Sequence, residues 1–241
     1  MRKLLLWLLE NFFPEEKEPE HPKPPSGGEV APSTPVPMAR PFKMMTDMKL
    51  LHAPYKFKYN KDYALVIHFA ACRKTWSATD FFEWMLEMRF NTYYIDGKGE
   101  AWCNHDIDRC GWHAGKGIKS QYKKFKHKNA GIEIANEGML TPHYGSRGII
   151  YWESWFGHKL TADQVRYVTT EEGYQCAGWY AKLLPEQEEK LAEMIKWHIS
   201  KGIPPENILG HDEIYDPHGY KNDIGGALSL PLKEFVKQRC L

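Results

Sequence analysis

Among the eleven histidines of this 241-residue chain, two stand where an imidazole needs a partner. His68 lies in Ala64-Leu65-Val66-Ile67-His68-Phe69-Ala70, a run of strand length that is apolar apart from that residue. A buried imidazole must be hydrogen-bonded or bound to a metal. His211 follows Gly210 just past Asn207-Ile208-Leu209, and Asp223 sits in a loop between Lys221-Asn222 and Gly225-Gly226. Two histidines and a carboxylate from distant segments make the donor set of an open, catalytic zinc site, with the fourth position left for water. Taken singly, each has an ordinary reading as a satisfied strand-end histidine or a loop acid. Asp216 and His218 lie between His211 and Lys221 and are alternative third ligands, since carboxylate and imidazole are both zinc donors.

The elements that must position these groups alternate between strand and helix. Ala64 to Ala70 suits a buried strand. Ser77 with Asp80 three residues on marks a helix start, and Phe81, Phe82, Met85 and Leu86 give that helix an apolar face. Asn91 to Ile95 predicts a second strand, turning through Asp96-Gly97-Lys98-Gly99 into Glu100-Ala101-Trp102. Ala130 to Ala135 is a third strand. Pro185 to about Lys201 predicts a helix, opened by proline and acids, striped by Leu191, Met194, Ile195 and His198, and stopped by Gly202. Asn207 to Leu209 is a short strand, and Leu232 to Val236 a closing helix. The expectation is an α/β fold: one domain with a central mixed β-sheet flanked by helices, the zinc site at the sheet end.

The order of the pieces is more specific than any one of them. Val66-Ile67-His68 is followed by Tyr94-Ile95-Asp96-Gly97-Lys98-Gly99, Trp112-His113-Ala114-Gly115 and Ala130-Gly131-Ile132-Glu133-Ile134. Then come Ile208-Leu209-Gly210-His211 and Lys221-Asn222-Asp223-Ile224-Gly225-Gly226. From Ala64 to the C-terminus this succession resembles the type-2 N-acetylmuramoyl-L-alanine amidase family. That family includes phage endolysins, cell-wall and recycling amidases, and peptidoglycan-recognition proteins.

The resemblance implies Zn²⁺ held by His68, His211 and Asp223, with Glu133 as general base and Lys221 stabilising the oxyanion. It implies substrate contacts at His113 and Trp112. The implied reaction is zinc-dependent hydrolysis of the amide between N-acetylmuramic acid and L-alanine in peptidoglycan, in phage-mediated lysis. The other readings are a non-catalytic peptidoglycan-binding or virion-associated module and a bacterial anhydromuropeptide-recycling amidase. Recognition relatives typically lack an intact metal set, whereas all three candidate ligands are present here. Asn222 and Ile224 depart from the family's Thr and Pro, and the loop from His211 to Lys221 is slightly long. In one branch a tyrosine of the second strand assists catalysis. Counting back from Tyr94-Ile95 puts Thr92 there, with Tyr93 beside it, which leaves the base role to Glu133.

Composition bounds the rest. Lys+Arg number 32 against 31 Asp+Glu, for a net charge of +1, which gives no footprint for nucleic acid. Nine Trp and 26% charged residues argue against global disorder. No apolar stretch approaches the roughly 20 residues of a membrane-spanning helix. The five cysteines are irregularly spaced and suggest no disulfide framework, although Cys103 and Cys110 could pair.

Nine of the 16 prolines fall at or before Pro41, so residues 14–44 read as a disordered linker behind a short apolar amphipathic segment, 1–13. Residues 4–13 could dock on a membrane surface or a protein partner. Residues 45–241 form the expected amidase domain. It carries an aromatic-rich insertion at 138–184 over one rim of the cleft, suited to packing or to stacking on sugars. Lys123 to Lys128 is a basic run, read as a solvated face or as an attractor for anionic wall polymer. The expected route is synthesis in the cytoplasm and action on the bacterial cell wall.

Overall fold

A strand apolar on both faces must lie inside a sheet, and in the computed structural model of the chain Ala64–Phe69 does. The structure describes residues 39–45, 55–56, 61–72, 75–88, 92–104, 109–110, 118–126, 128–215 and 221–241. In chain order the strands are β1 (Lys43–Met44), β2 (Tyr55–Lys56), β3 (Ala64–Phe69), β4 (Tyr93–Ile95), β5 (Ala101–Cys103), β6 (Arg109–Cys110) and β7 (Asn129–Ile134). They continue with β8 (Met139–Gly145), β9 (Gly148–Glu153), β10 (Lys159–Leu160), β11 (Val165–Val168), β12 (Gly178–Ala181) and β13 (Ile208–Gly210). The helices are α1 (Ala78–Met88), α2 (Pro185–Ser200), the single turn α3 (His211–Ile214) and α4 (Leu232–Arg239).

The central sheet runs β1-β5-β4-β7-β3-β13. β4, β7, β3 and β13 are parallel neighbours, and β5 is antiparallel to β4, so the sheet is mixed as expected. Alternation sends Leu65, Ile67 and Phe69 to one face, where they join Leu191, Met194 and Ile195 of α2 and Phe235 of α4 in the main core. The opposite face carries two smaller clusters, one around Phe81, Phe82 and Tyr94, the other around Val66, Phe125, Leu209 and Ile214.

Local chemistry fixes the covering helices. The Asp80 amide donates to Ser77 Oγ at 3.2 Å and the Ser77 amide to Asp80 Oδ2 at 3.1 Å, closing a reciprocal cap on α1. Phe81 of α1 then stacks on Tyr94 of β4, with centroids 3.9 Å apart and planes at 7°. In α2, Pro185 occupies the first turn and Gln187 Oε1 accepts the Leu184 amide. Gln187 Nε2 also donates to the Asp96 and Ala135 carbonyls, tying the helix to the ends of β4 and β7.

The segment after β7 folds into a second sheet, antiparallel, in the order β10-β9-β8-β12-β11. One of its faces buries Leu140, Trp152, Leu160, Val165 and Ala181. Its aromatics divide: Trp152 and Tyr180 are buried, while Tyr144 and Trp155 are exposed. In the basic run Phe125 turns inward, whereas Lys123, Lys124, Lys126 and Lys128 are exposed. Cys103 is buried, and the side chain of Cys110, its candidate partner, lies outside the described residues. Residues 1–13, most of the linker, Trp112, His113, Asp216 and His218 lie outside the described residues.

Candidate metal centre

Parallel strands aligned at their carboxyl ends gather whatever follows them, and the three candidate donors meet there. β3 and β13 are parallel neighbours, with Ile67 opposite Gly210. His68 therefore stands one residue beyond that pair on β3, and His211 directly follows β13 as the first residue of α3. Their rings lie 4.2 Å apart between centroids, tilted by 56°. Asp223 reaches between them, its Oδ2 2.8 Å from His68 Nδ1 and 3.0 Å from His211 Nδ1. All three residues are buried, with one ligand atom from each lying within 4.8 Å of the others.

The electrostatics suit a cation. Burial, then the neighbouring His211, push His68 down to about 4, against the pull of Asp223. Burial works to raise Asp223, but the charges of and hydrogen bonds from His211 and His68 overcome it and hold the carboxyl well below its ordinary value. A neutral imidazole and an ionised carboxylate are the forms a metal takes up. His211 Nε2 is buried without a hydrogen-bond partner among the described residues. Two ring nitrogens and one carboxylate oxygen, sequestered in protein, are a donor set that zinc fits, with a position to spare.

Glu133 lies beside this cluster because of register. His68 on β3 pairs with Glu133 on β7, which pairs with Tyr94 on β4, so the three side chains share a row on one face of the sheet. Glu133 Oε1 is 4.0 Å from His68 Nδ1. Burial, aided by the Asp223 charge and opposed by the Lys221 ammonium, pushes its carboxyl up to about 8. Lys221 Nζ lies 5.8 Å from the centre of the Tyr215 ring, itself packed on His211. Tyr94, rather than Thr92, stands level with Glu133, and its hydroxyl donates to the Trp76 carbonyl at 3.2 Å. The Thr92 hydroxyl is consumed by the Tyr93 and Gly131 carbonyls, and Tyr93 faces the main core.

Sequence reasoning passed over the residues that hold the third donor in place. The Asp212 amide donates to the Asp223 carbonyl at 2.6 Å, and the Gly225 amide donates to Asp212 Oδ2 at 3.1 Å. A Cβ on Gly210 would lie 2.2 Å from Asp212 Oδ1, so glycine is needed there for the carboxylate to tuck in. From the other side the second sheet presses on the same segment. Asn222 Nδ2 donates to Met139 Sδ at 3.1 Å, the Cys176 thiol lies 3.6 Å from the Lys221 carbonyl, and Tyr180 and Val168 crowd Gly225 and Gly226. The glycine pair at 225–226 was the available signal, since side chains there would collide with Tyr180.

The profile of a known family, described as N-acetylmuramoyl-L-alanine amidase, matches residues 59–226, well over half of the chain. No curated protein matches it. A mutant structure of PlyL is 14% identical over 71% of this chain and 78% of that one, with a TM-score of 0.39. A complex of the N-acetylmuramyl-L-alanine amidase AmiD from E. coli with the substrate anhydro-N-acetylmuramic acid-L-Ala-D-gamma-Glu-L-Lys is 20% identical, with a TM-score of 0.45. That match covers 78% of this chain and 60% of the AmiD chain. On the family match, which spans every residue of the His68, Glu133, His211 and Asp223 cluster, the chain belongs to the N-acetylmuramoyl-L-alanine amidase family.

Proposed function

We propose that the chain is a zinc-dependent hydrolase of the amide bond between the lactyl group of N-acetylmuramic acid and L-alanine in peptidoglycan. What carries the reading is the meeting of His68, His211 and Asp223 around one point, with the Glu133 carboxyl alongside. Zinc held by those three side chains would supply Lewis-acid polarisation of the amide carbonyl and acidify a water molecule. The chain's own contribution begins with Asp223, whose Oδ2 faces both imidazoles at their Nδ1 atoms, so that the three donors converge on one point. Glu133 takes the proton of the attacking water on its carboxylate and returns it to the departing alanine nitrogen, which turns a poor amine leaving group into a good one. The Lys221 ammonium stabilises the negative charge that grows on the carbonyl oxygen. The burial of His68, His211 and Asp223 strengthens these interactions by limiting the water around them.

His113 and Trp112 are proposed as substrate contacts on the family pattern alone. The proposed setting is phage-mediated lysis, with the enzyme made in the cytoplasm and acting at the wall. The apolar head and proline-rich tether of residues 1–44 suit surface attachment better than a freely diffusing recycling enzyme.

Purified protein supplied with zinc is expected to release free L-alanine amino termini from cell-wall sacculi. One bound equivalent of zinc without such termini would refute the amidase reading. Muropeptide binding that survives EDTA without product would identify a recognition module. Activity on soluble muropeptides but not on sacculi would identify a recycling enzyme.

A further inference from the structure

We infer that Asp212 is a positioning residue for the metal centre, a clamp that sets where the third donor sits relative to the second. This rests on the metal reading above and deepens it. His211 and Asp223 stand 12 residues apart in the chain, and among the described residues their alignment is enforced by contacts between α3 and the residues around 223. Asp212 makes two of them. Its amide holds the Asp223 carbonyl at 2.6 Å, and its Oδ2 receives the Gly225 amide at 3.1 Å. The two bonds grip the backbone on either side of Ile224, while the preceding residue, His211, supplies a donor to the same centre.

The outer side of α3 is anchored separately. Glu213 receives the Tyr122 hydroxyl at 2.8 Å and pairs with Lys233 at 3.3 Å, and its carbonyl accepts from Lys119 at 2.7 Å. α3 is thus fixed to the body through Glu213 and to the third-donor segment through Asp212. Asp212 is absent from the His68–His211–Asp223 donor cluster, and its Oδ2 is engaged by Gly225. Its effect on a bound ion therefore runs through Asp223. Partners of this kind typically alter metal affinity by about 10- to 100-fold.

The test uses the full chain and zinc itself, with affinity read by competition against a chromophoric chelator and the melting temperature of the metal-stripped protein measured alongside. Asp212→Ala is expected to weaken zinc binding by at least about tenfold. Asp212→Asn keeps an acceptor oxygen for the Gly225 amide and is expected to recover most of that loss. Val236→Ala, a cavity in the core at α4, should lower the melting temperature and leave zinc affinity unchanged.

Wild-type affinity in Asp212→Ala overturns the clamp, as does an equal affinity loss in Val236→Ala. Asp212→Asn binding as weakly as Asp212→Ala overturns it in favour of a charge effect. Should Asp212→Ala fail to fold, Asp212→Asn alone decides: near-native affinity supports the hydrogen bond and a tenfold loss refutes it. Wild-type protein that binds no zinc sinks the metal centre itself, an outcome distinct from a zinc-binding wild type matched by Asp212→Ala.

Discussion

Replacing Glu133 by glutamine separates the roles that a buried carboxyl can have. The side chain keeps its volume and loses its ability to ionise. As general base, Glu133 is expected to account for roughly 10²–10⁴ of the rate, so release of L-alanine amino termini from sacculi should fall by that factor. Zinc content should not change, because Glu133 lies outside the three-donor cluster.

Stability gives a second, independent readout in metal-stripped protein. Burial raises the Glu133 carboxyl from 4.5 to about 8, so the folded state holds its proton through a range where the unfolded chain has released it. The folded state then binds more protons than the unfolded one, and stability falls as pH rises from 4.5 through about 8. Glutamine removes that slope. The two proteins should be equally stable below pH 4.5, and the variant should be the more stable above about pH 8. At 1.36 kcal/mol per pH unit the gap has a ceiling of about 5 kcal/mol, measurable by urea titration at each pH. Asp212, also raised to about 8 by burial and then by Asp223, contributes its own slope to both proteins and cancels in the comparison. Zinc lost along with activity would make Glu133 a ligand. Turnover within tenfold of wild type would place the base elsewhere, and a gap that does not open with pH would refute the burial argument.

Chelation should abolish hydrolysis, and re-addition of zinc should restore it; at free zinc about 1,000 times the dissociation constant, the ion should add about 4 kcal/mol of stability, read as a rise in melting temperature. Asp223→Ala removes a carboxylate that touches both imidazoles and should weaken zinc binding by more than about 100-fold, beyond the usual effect of an outer-shell partner. Retained affinity would move the third donor to Asp216 or His218. Gly226→Ala would set a Cβ 2.6 Å from Val168 and 2.7 Å from Tyr180, and overpacking of that kind should cost roughly 1–3 kcal/mol by denaturant titration.

Elements that announce themselves locally were legible in the sequence. Ala64–Phe69 is apolar enough to need burial on both faces, and Pro185–Ser200 carries its proline, its acidic first turn and its stripe within one stretch. The second sheet was not legible. Pro142 interrupts β8, and a register shift between His143 and Tyr144 breaks the period-two alternation that would have marked a strand. At the metal centre, residue type picked out His68, His211 and Asp223 because imidazoles and carboxylates are uncommon in apolar or glycine-rich surroundings. Tyr94 escaped because its place beside Glu133 depends on the parallel register of β4 with β7, which neither strand encodes alone. Asp212 escaped because it acts on backbone groups of Asp223 and Gly225, and such contacts leave no pattern in side-chain type.

The packing of Tyr180 and Val168 onto Gly225 and Gly226 limits how this enzyme could be miniaturised or recombined. Excising 138–184 to leave a smaller catalyst would strip the support from the stretch that carries Lys221 and Asp223, although neither residue lies within the excised part. Transplanting the site's side chains onto a scaffold without such a sheet would meet the same difficulty in reverse. The second sheet and the Lys221–Gly226 stretch are a single part, and only exchanges that carry both across together should yield a working centre.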